Sequence, residues 1–300
     1  MHEIFIEAES FRKLGGWVVD QQSMQTLHSS YILAHGLGVP VADAQTEFSV
    51  DSPGEYYVWA LTRDWTAAWN APDSAGKFEL LADGQALPTL LGTDGAAWDW
   101  QLAGNCFFEK GTHTLALHDL TGFDGRCDAI YLSDCPEKPD AADVIRTRLG
   151  RNAIHECDTV YDLIVVGGGV AGICTALSAF RSGVNALLIH DRGVLGGCNS
   201  SDIRVCMGGQ IHLPPYPHLG DVVREIAPVM GRPTVYPAEY FEDARKKFAF
   251  EPLEYQDTKC DIALWEHITA LEKDGDVITA VVTTNVRTGR KTRYHARLFA

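Results

Sequence analysis

Three glycines, Gly167-x-Gly169-x-x-Gly172, mark the place where this sequence is best equipped for chemistry. They follow an apolar run, Leu163 to Val166, and lead straight into Ile173, Ala176, Leu177 and Phe180 at helical spacing. A strand, a tight turn and a helix N-terminus in that order aim backbone N–H groups and the positive end of a helix dipole at a phosphate. Gly167 permits the turn, Gly169 lets a pyrophosphate approach the backbone, and Gly172 lets the helix pack close to the strand. The order of elements implies a dinucleotide-binding domain; a plain structural β-turn-α is the alternative, because a lone G-x-G-x-x-G is weak.

The second strand, Ala186 to Ile189, should end in an acid that grips a ribose hydroxyl. The expected place falls on His190, with Asp191 next. Either Asp191 takes the ribose from a shifted strand end, or His190 donates to it, or His190 merely ends the strand. Gly196-Gly197 follows, where nicotinamide domains usually run on into another helix. Flexible backbone with small side chains there suits the pyrophosphate and ribityl chain of a flavin. Arg204 is the candidate to stand near the flavin ring, where a guanidinium stabilises negative charge on the reduced ring or holds an anionic substrate. A surface or phosphate-pairing arginine is the equal alternative. His212 and His218 flank the proline-rich Leu213-Pro-Pro-Tyr-Pro217. His212 is the candidate general base for deprotonating an alcohol during hydride transfer, against a plain structural hydrogen bond. Cys198 and Cys206 read as packed thiols rather than a redox pair.

The elements that must position these residues divide the chain. Residues 1–135 read as an all-β sandwich or jelly roll: short runs such as Glu55 to Leu61, Lys77 to Leu81 and Thr112 to Leu117 alternate with turn signals such as Ser52-Pro-Gly54 and Asp83-Gly84. Residues 136–157 read as a linker with a short helix from Asp140, its N-cap, to Leu149. From 158 to 300 the pattern is β-α-β, then helices over 219–230 and 238–248, then a three-stranded meander over 267–299 with turns at Asp274-Gly275 and Thr288-Gly289. The last residues, Arg297-Leu-Phe-Ala300, read as a strand entry without a turn or cap, so the polypeptide is expected to continue.

Length and composition bound the rest. Three hundred residues suit two domains. A formal net charge of -15 argues against nucleic acid. No apolar run has the length of a membrane span. Without a basic n-region or apolar h-region at the N-terminus, a cytoplasmic protein is expected, or a periplasmic or secreted one if a signal peptide was removed. Eight scattered cysteines with no C-x-x-C pair read as reduced thiols, and no metal site is assigned.

Asp191-Arg-Gly-Val-Leu-Gly-Gly-Cys-Asn-Ser-Ser-Asp-Ile-Arg-Val205 and Gly208-Gly-Gln-Ile-His-Leu-Pro-Pro-Tyr-Pro-His-Leu-Gly220 carry a resemblance. They are similar to the motifs of a large bacterial family of FAD-dependent oxidoreductases, often found beside carbohydrate-degrading genes and in part labelled xanthan lyases. Tyr240-Phe-Glu-Asp243 and the meander look like that family too. The resemblance implies FAD as cofactor and an α/β FAD-binding Rossmann-like fold of the glutathione-reductase type. It further implies that Gly167, Gly169, Val170, Ala171 and Gly172 hold the pyrophosphate and that Asp191 and Arg192 lie near the adenosine ribose. Gly197, Asn199, Ser200 and Ser201 then run along the ribityl chain, and the backbone of Ile268 meets the adenine edge. A third FAD motif is implied beyond residue 300.

The N-terminal marks Glu7-Ala-Glu9, Gly15-Gly16-Trp17, Arg63-Asp-Trp65 and Asp128-Ala-Ile resemble galactose-binding jelly-roll modules. That likeness allows early acids and Asp128 to hold a calcium ion, against plain edge-strand acids. It also offers Trp65, Trp69, Trp98 and Trp100 for stacking on sugars, against a role in the sandwich core. The expected activity is hydride transfer from an alcohol, amine or sugar-like donor to FAD, by a protein that self-associates or acts alone. A glycan-binding protein with a non-catalytic nucleotide domain, and a polysaccharide lyase-like enzyme with structural FAD, are the alternatives.

Overall fold

A computed structural model describes residues 2–210, 212–226, 240–241, 254–255 and 258–300. Two compact units emerge, Met1–Ala153 with Val286–Gly289, and Ile154–Asn285 with Arg290–Ala300.

The first unit is an all-β sandwich. Its strands are β1 (Glu3–Glu7), β2 (Trp17–Asp20), β3 (Tyr31–His35), β4 (Ala44–Val50), β5 (Gly54–Thr62), β6 (Phe78–Ala82), β7 (Gln85–Ala86), β8 (Asp99–Phe108), β9 (Gly111–Asp119), β10 (Phe123–Cys127) and β11 (Ala129–Ser133), with a single helical turn α1 (Met24–Leu27). They form sheets in the orders β1-β11-β5-β8, β10-β3-β2 and β4-β9-β6-β7. Strand β4 shows why: Ala44, Thr46, Phe48 and Val50 are buried while Gln45, Glu47 and Ser49 are exposed, so the period of two puts one apolar face on the core. That core is closed by aromatic pairs, Trp17 against Phe78 at 5.5 Å and Phe48 against Phe108 at 5.3 Å.

Helix α2 (Ala142–Arg148) lies in the segment expected to be a linker, yet it is packed. Ala142 and Ile145 are buried with Phe5, Trp100 and Tyr131. Its N-cap is Ala141, without a side-chain cap. Asp140 is instead paired with Arg148 at 3.0 Å, so the expected cap is corrected by an ion pair. From α2, Arg146 enters the interior. Its Nε and Nη2 donate to the Glu7 carboxylate at 2.9 and 2.8 Å, Nη2 to Asp128 at 2.8 Å, and Nη1 to the Leu27 carbonyl at 2.7 Å. Ser29 donates to the other Asp128 oxygen at 2.6 Å. Two of the acids expected around calcium, Glu7 and Asp128, therefore hold a guanidinium. Among the described residues no group of three or more His, Cys, Asp or Glu is placed to hold a metal ion. Glu9 is buried and neither carboxyl oxygen has a hydrogen-bond partner. Burial first, then the charges of Glu7 and Asp128, pushes its pKa well above the usual glutamate range.

The second unit carries β12 (Ile154–Val166), α3 (Val170–Arg181), β13 (Ala186–His190), α4 (Asp221–Ile226), β14 (Glu254–Tyr255), β15 (Thr258–Leu264), β16 (Glu266–Asp274), β17 (Val277–Asn285) and β18 (Lys291–Phe299). One sheet runs β14-β15-β13-β12-β18-β17-β16. Strand β12 is parallel to β13 and to β18, and β13 is parallel to β15. In α3, Ile173, Ala176, Leu177 and Phe180 are the buried residues, the stripe read from the sequence. They pack with Val165, Leu188 and Leu195. The meander turns at Gly275 and Gly289, with φ of 60° and 69°. Its last strand pairs with β12, so the meander extends the parallel sheet rather than standing apart. Among the described residues this unit is richer in strand than the expected α/β domain. Helix α4 falls within the expected 219–230, whereas 227–230 and all of 238–248 except Tyr240 and Phe241 lie outside the described residues.

Two outcomes follow for the first unit. Arg146→Met should cost about 3–5 kcal/mol in urea unfolding, because the Glu7 and Asp128 carboxylates lose their cation. Glu9 has a folded pKa above its unfolded one, so its stabilisation is full in acid and is lost as pH rises through the folded value. Glu9→Gln should therefore unfold at a higher temperature than the parent near pH 7, with the difference closing towards about pH 4.

Candidate functional site

Two glycine turns meet at the end of the parallel strands. After β12, Gly167 donates its N–H to the Ile189 carbonyl at 2.8 Å, in a left-handed conformation of φ 106°. Gly196 donates to the Gly168 carbonyl at 2.7 Å. A Cβ on Gly168 would lie 2.5 Å from Leu195 and 2.6 Å from the His190 ring, and one on Gly172 would lie 1.8 Å from the Gly167 carbonyl oxygen. These two glycines are required by the protein itself.

Gly169 is different. It caps α3 with φ -72° and ψ 177°, a backbone any residue adopts. A Cβ there would meet nothing within 4 Å. The fold leaves room for a side chain and the sequence supplies none. Behind it, the first-turn N–H groups of Val170, Ala171 and Gly172 have no acceptor within the helix, and Gly169 provides no side-chain cap. The result is an open cradle over a twelve-residue helix.

The second turn, Gly196-Gly197, adopts φ of 119° and 59° and runs into Asn199 and Ser200. Asn199 is buried and its Nδ2 donates to the Val205 carbonyl at 2.6 Å, which fixes the loop. Ser200 is buried with a hydroxyl that has no partner among the described residues, an orphaned polar atom beside the glycines. Ser201 is buried. Arg204 sits at φ 60°, with its Nε donating to the Ser201 carbonyl at 2.9 Å and the side chain otherwise exposed.

His190 and Asp191 have separate tasks. The Gly168 N–H donates to His190 Nδ1 at 3.1 Å, and Nε2 faces the Val194 carbonyl at 3.1 Å. This assigns the neutral Nε2–H tautomer. Burial, the largest influence, lowers its pKa. Both nitrogens serve the loop, so His190 supports the glycine turn from below and has no ring nitrogen left for a ribose. Asp191 lies half-exposed, 3.6 Å from His267 Nδ1, and that histidine is the first cause of its lowered pKa. Asp191 is the carboxylate at this strand end. Arg192 follows, half-buried, and its carbonyl accepts from Trp265 N–H at 3.3 Å. Ile268 is partly buried against the cluster of Tyr161, Ile164 and Val281.

Trp265 and His267 were not singled out in the sequence. Trp265 has φ 64°, unusual for its type, and a Cβ on Gly193 would come within 2.1 Å of its indole. A glycine outside any left-handed turn at 193 was the available signal. Its meaning rests on a contact some seventy residues away.

The remaining candidates stand in 198–224. His212 Nδ1 meets the Pro217 carbonyl at 3.0 Å and Nε2 meets the Arg224 guanidinium. Neither nitrogen is unengaged, so the structure brings His212 to Arg224 and gives it no free basic site. His218 pairs with Asp221 at 3.0 Å. Cys198 and Cys206 are free thiols, as are the other six cysteines. Ile211 lies outside the described residues.

Comparison with known proteins places this geometry in context. Residues 162–300, just under half of the chain, match the family model described as FAD dependent oxidoreductase. No curated protein matches. Among solved structures, a family 35 carbohydrate binding module from Clostridium thermocellum is 14% identical, with a TM-score of 0.37, over 45% of this chain and 100% of that one. A GH26-CBM35 β-(1,4)-mannanase of Podospora anserina is 13% identical, with a TM-score of 0.36, over 62% of this chain and 49% of that one.

The loop gives one pH-dependent outcome. His190 has a folded pKa below its unfolded one, so its stabilisation is present above about pH 6.5 and is lost as pH falls through the folded value. Protonating Nδ1 sets two N–H groups against each other at Gly168. The melting temperature should fall between about pH 7 and 5, and His190→Gln should flatten that slope. An unchanged slope in the variant would show that another group controls it.

Proposed function

We propose that the second unit is an FAD-binding Rossmann-like domain and that the protein is an FAD-dependent oxidoreductase acting on a small alcohol, amine or sugar-like donor. The observation that carries this reading is the unfilled space above Gly169, at a helix N-terminus, in a backbone geometry that does not call for glycine. The family match over 162–300 supports the same cofactor. The orphaned Ser200 hydroxyl, set next to small residues, fits a polar chain passing over it.

When bound, FAD supplies the ring that accepts a hydride. The chain's own residues bind and orient. Gly167, Gly169 and the N–H groups of Val170, Ala171 and Gly172 meet the pyrophosphate charge. Asp191, ionised beside His267, accepts from ribose hydroxyls, with Arg192 alongside. Gly197, Asn199, Ser200 and Ser201 line the path of the ribityl chain. Arg204, tethered by its Nε, keeps the outer guanidinium nitrogens for negative charge on the reduced ring or the substrate. His212 reaches a substrate proton only after Arg224 leaves its Nε2.

The test is direct. The purified protein should show a flavin absorption spectrum, or acquire one with added FAD, and the released chromophore should be FAD. The Cβ that Gly169→Val adds meets no protein atom within 4 Å, so the variant should keep the parent circular dichroism and melting temperature while losing FAD binding by at least about a hundredfold. Stoichiometric flavin in that variant would overturn the site; a protein that never takes up FAD would overturn the function.

A further inference from the structure

The chain enters the meander through one residue. Strand β15 ends at Leu264 and β16 begins at Glu266, so Trp265 alone turns the corner. It does so at φ 64°, a conformation that favours glycine and strains a tryptophan. Three contacts hold the corner in place. The Trp265 N–H donates to the Arg192 carbonyl at 3.3 Å. Its indole lies against Gly193, where an added Cβ would come within 2.1 Å of the ring. Further along, Ile268 packs into the apolar cluster that holds Leu187 and Ile189 of β13. Strands β13 and β16 are not neighbours in the sheet, yet these contacts set the first residues of β16 beside the loop that follows β13.

His267 is the side chain that this arrangement delivers. Two histidines flank the Asp191 carboxylate, His190 with Nδ1 at 3.5 Å from Oδ1 and His267 with Nδ1 at 3.6 Å from Oδ2. They are not equivalent. His190 Nδ1 accepts the Gly168 N–H, so it has no proton to give the carboxylate. His267 has that role open to it, and it is the first cause of the lowered pKa of Asp191.

Both side chains remain partly open, His267 at 30% and Asp191 at 39%, so a ligand can reach the carboxylate while the imidazole stays behind it. A short acid at the end of a strand turns freely about two bonds. Held from one side by a donor on a neighbouring strand, it keeps one orientation, and a carboxylate that accepts from two ribose hydroxyls needs one. We propose that His267 is a positioning residue of the adenosine half of the cofactor site: it holds the Asp191 carboxylate towards the ribose hydroxyls, and the Trp265 corner holds His267. The inference rests on the ribose role of Asp191 under the flavin reading and needs nothing of the flavin ring.

ADP carries the same ribose and a pyrophosphate without a flavin, and is the probe. Calorimetry of the full chain should give saturable ADP binding, with the dideoxyadenosine analogue, which lacks both ribose hydroxyls, at least about tenfold weaker. His267→Ala should weaken ADP by about tenfold, leave the dideoxy analogue within about twofold, and keep the parent melting temperature. His267→Asn puts an amide N–H where the Nδ1–H stood and should bind ADP within about threefold of the parent, which a side chain that merely filled space would not allow. Equal loss of ADP and of its dideoxy analogue in His267→Ala, or no loss of either, would overturn the proposal. So would an asparagine variant as weak as the alanine one, or a parent that binds both nucleotides alike. FAD uptake measured beside these separates the two readings. A parent that binds ADP as described but never FAD would sink the flavin assignment and leave this one standing; a parent that binds neither would overturn both.

Discussion

Two backbone turns in the second unit touch at Gly168, a position where no Cβ fits. The Gly196 N–H reaches the Gly168 carbonyl at 2.7 Å, and a Cβ on Gly168 would lie 2.5 Å from Leu195 and 2.6 Å from the His190 ring. Everything around the cradle follows from that approach. His190 fills the space beneath Gly168 and closes the turn with a hydrogen bond to its N–H. Leu195 joins α3 to the core through the same gap. With the turns locked together, the start of α3 and the buried Ser200 are held at one end of the parallel strands. A loop built this way is set before any ligand arrives, which reduces the ordering cost of binding.

Gly167, Gly168, Gly169 and Gly172 look alike in the sequence and differ in cause. Gly167 is set by its positive φ, and Gly168 and Gly172 by neighbours that leave no room for a Cβ. Gly169 is constrained by neither. A position the protein does not need empty is the informative one, and it lies where the helix dipole favours negative charge.

In the first unit a buried arginine ties together parts of the chain far apart in sequence. Arg146 joins Glu7 near the start of the chain, Leu27, and Asp128 beside β11. This bond network makes 142–148 part of the sandwich unit rather than a tether. It also brings a positive charge to Glu7 and Asp128, in a geometry suited to carboxylates.

Local pattern was enough to read much of this molecule. The alternation in β4, the strand-turn-helix at 163–180 and the glycine turns of the meander are set by neighbours within a few residues, so the chain's own periodicity encodes them. The tasks of single side chains were not encoded that way. His190 and Asp191 are adjacent, yet one is turned into the protein by Gly168 and Val194 and the other towards His267 across the sheet. Arg146 looked like a residue of a linker helix until Glu7 and Asp128 were brought to it. Trp69 and Trp100 are the same residue type, and only the closing of the sandwich left one exposed and buried the other. The sequence by itself determined which elements form, because backbone geometry and hydrophobic period are local properties. The tertiary structure decided which polar groups find partners and which are left for a ligand, because hydrogen bonds and burial depend on what long-range folding brings within reach.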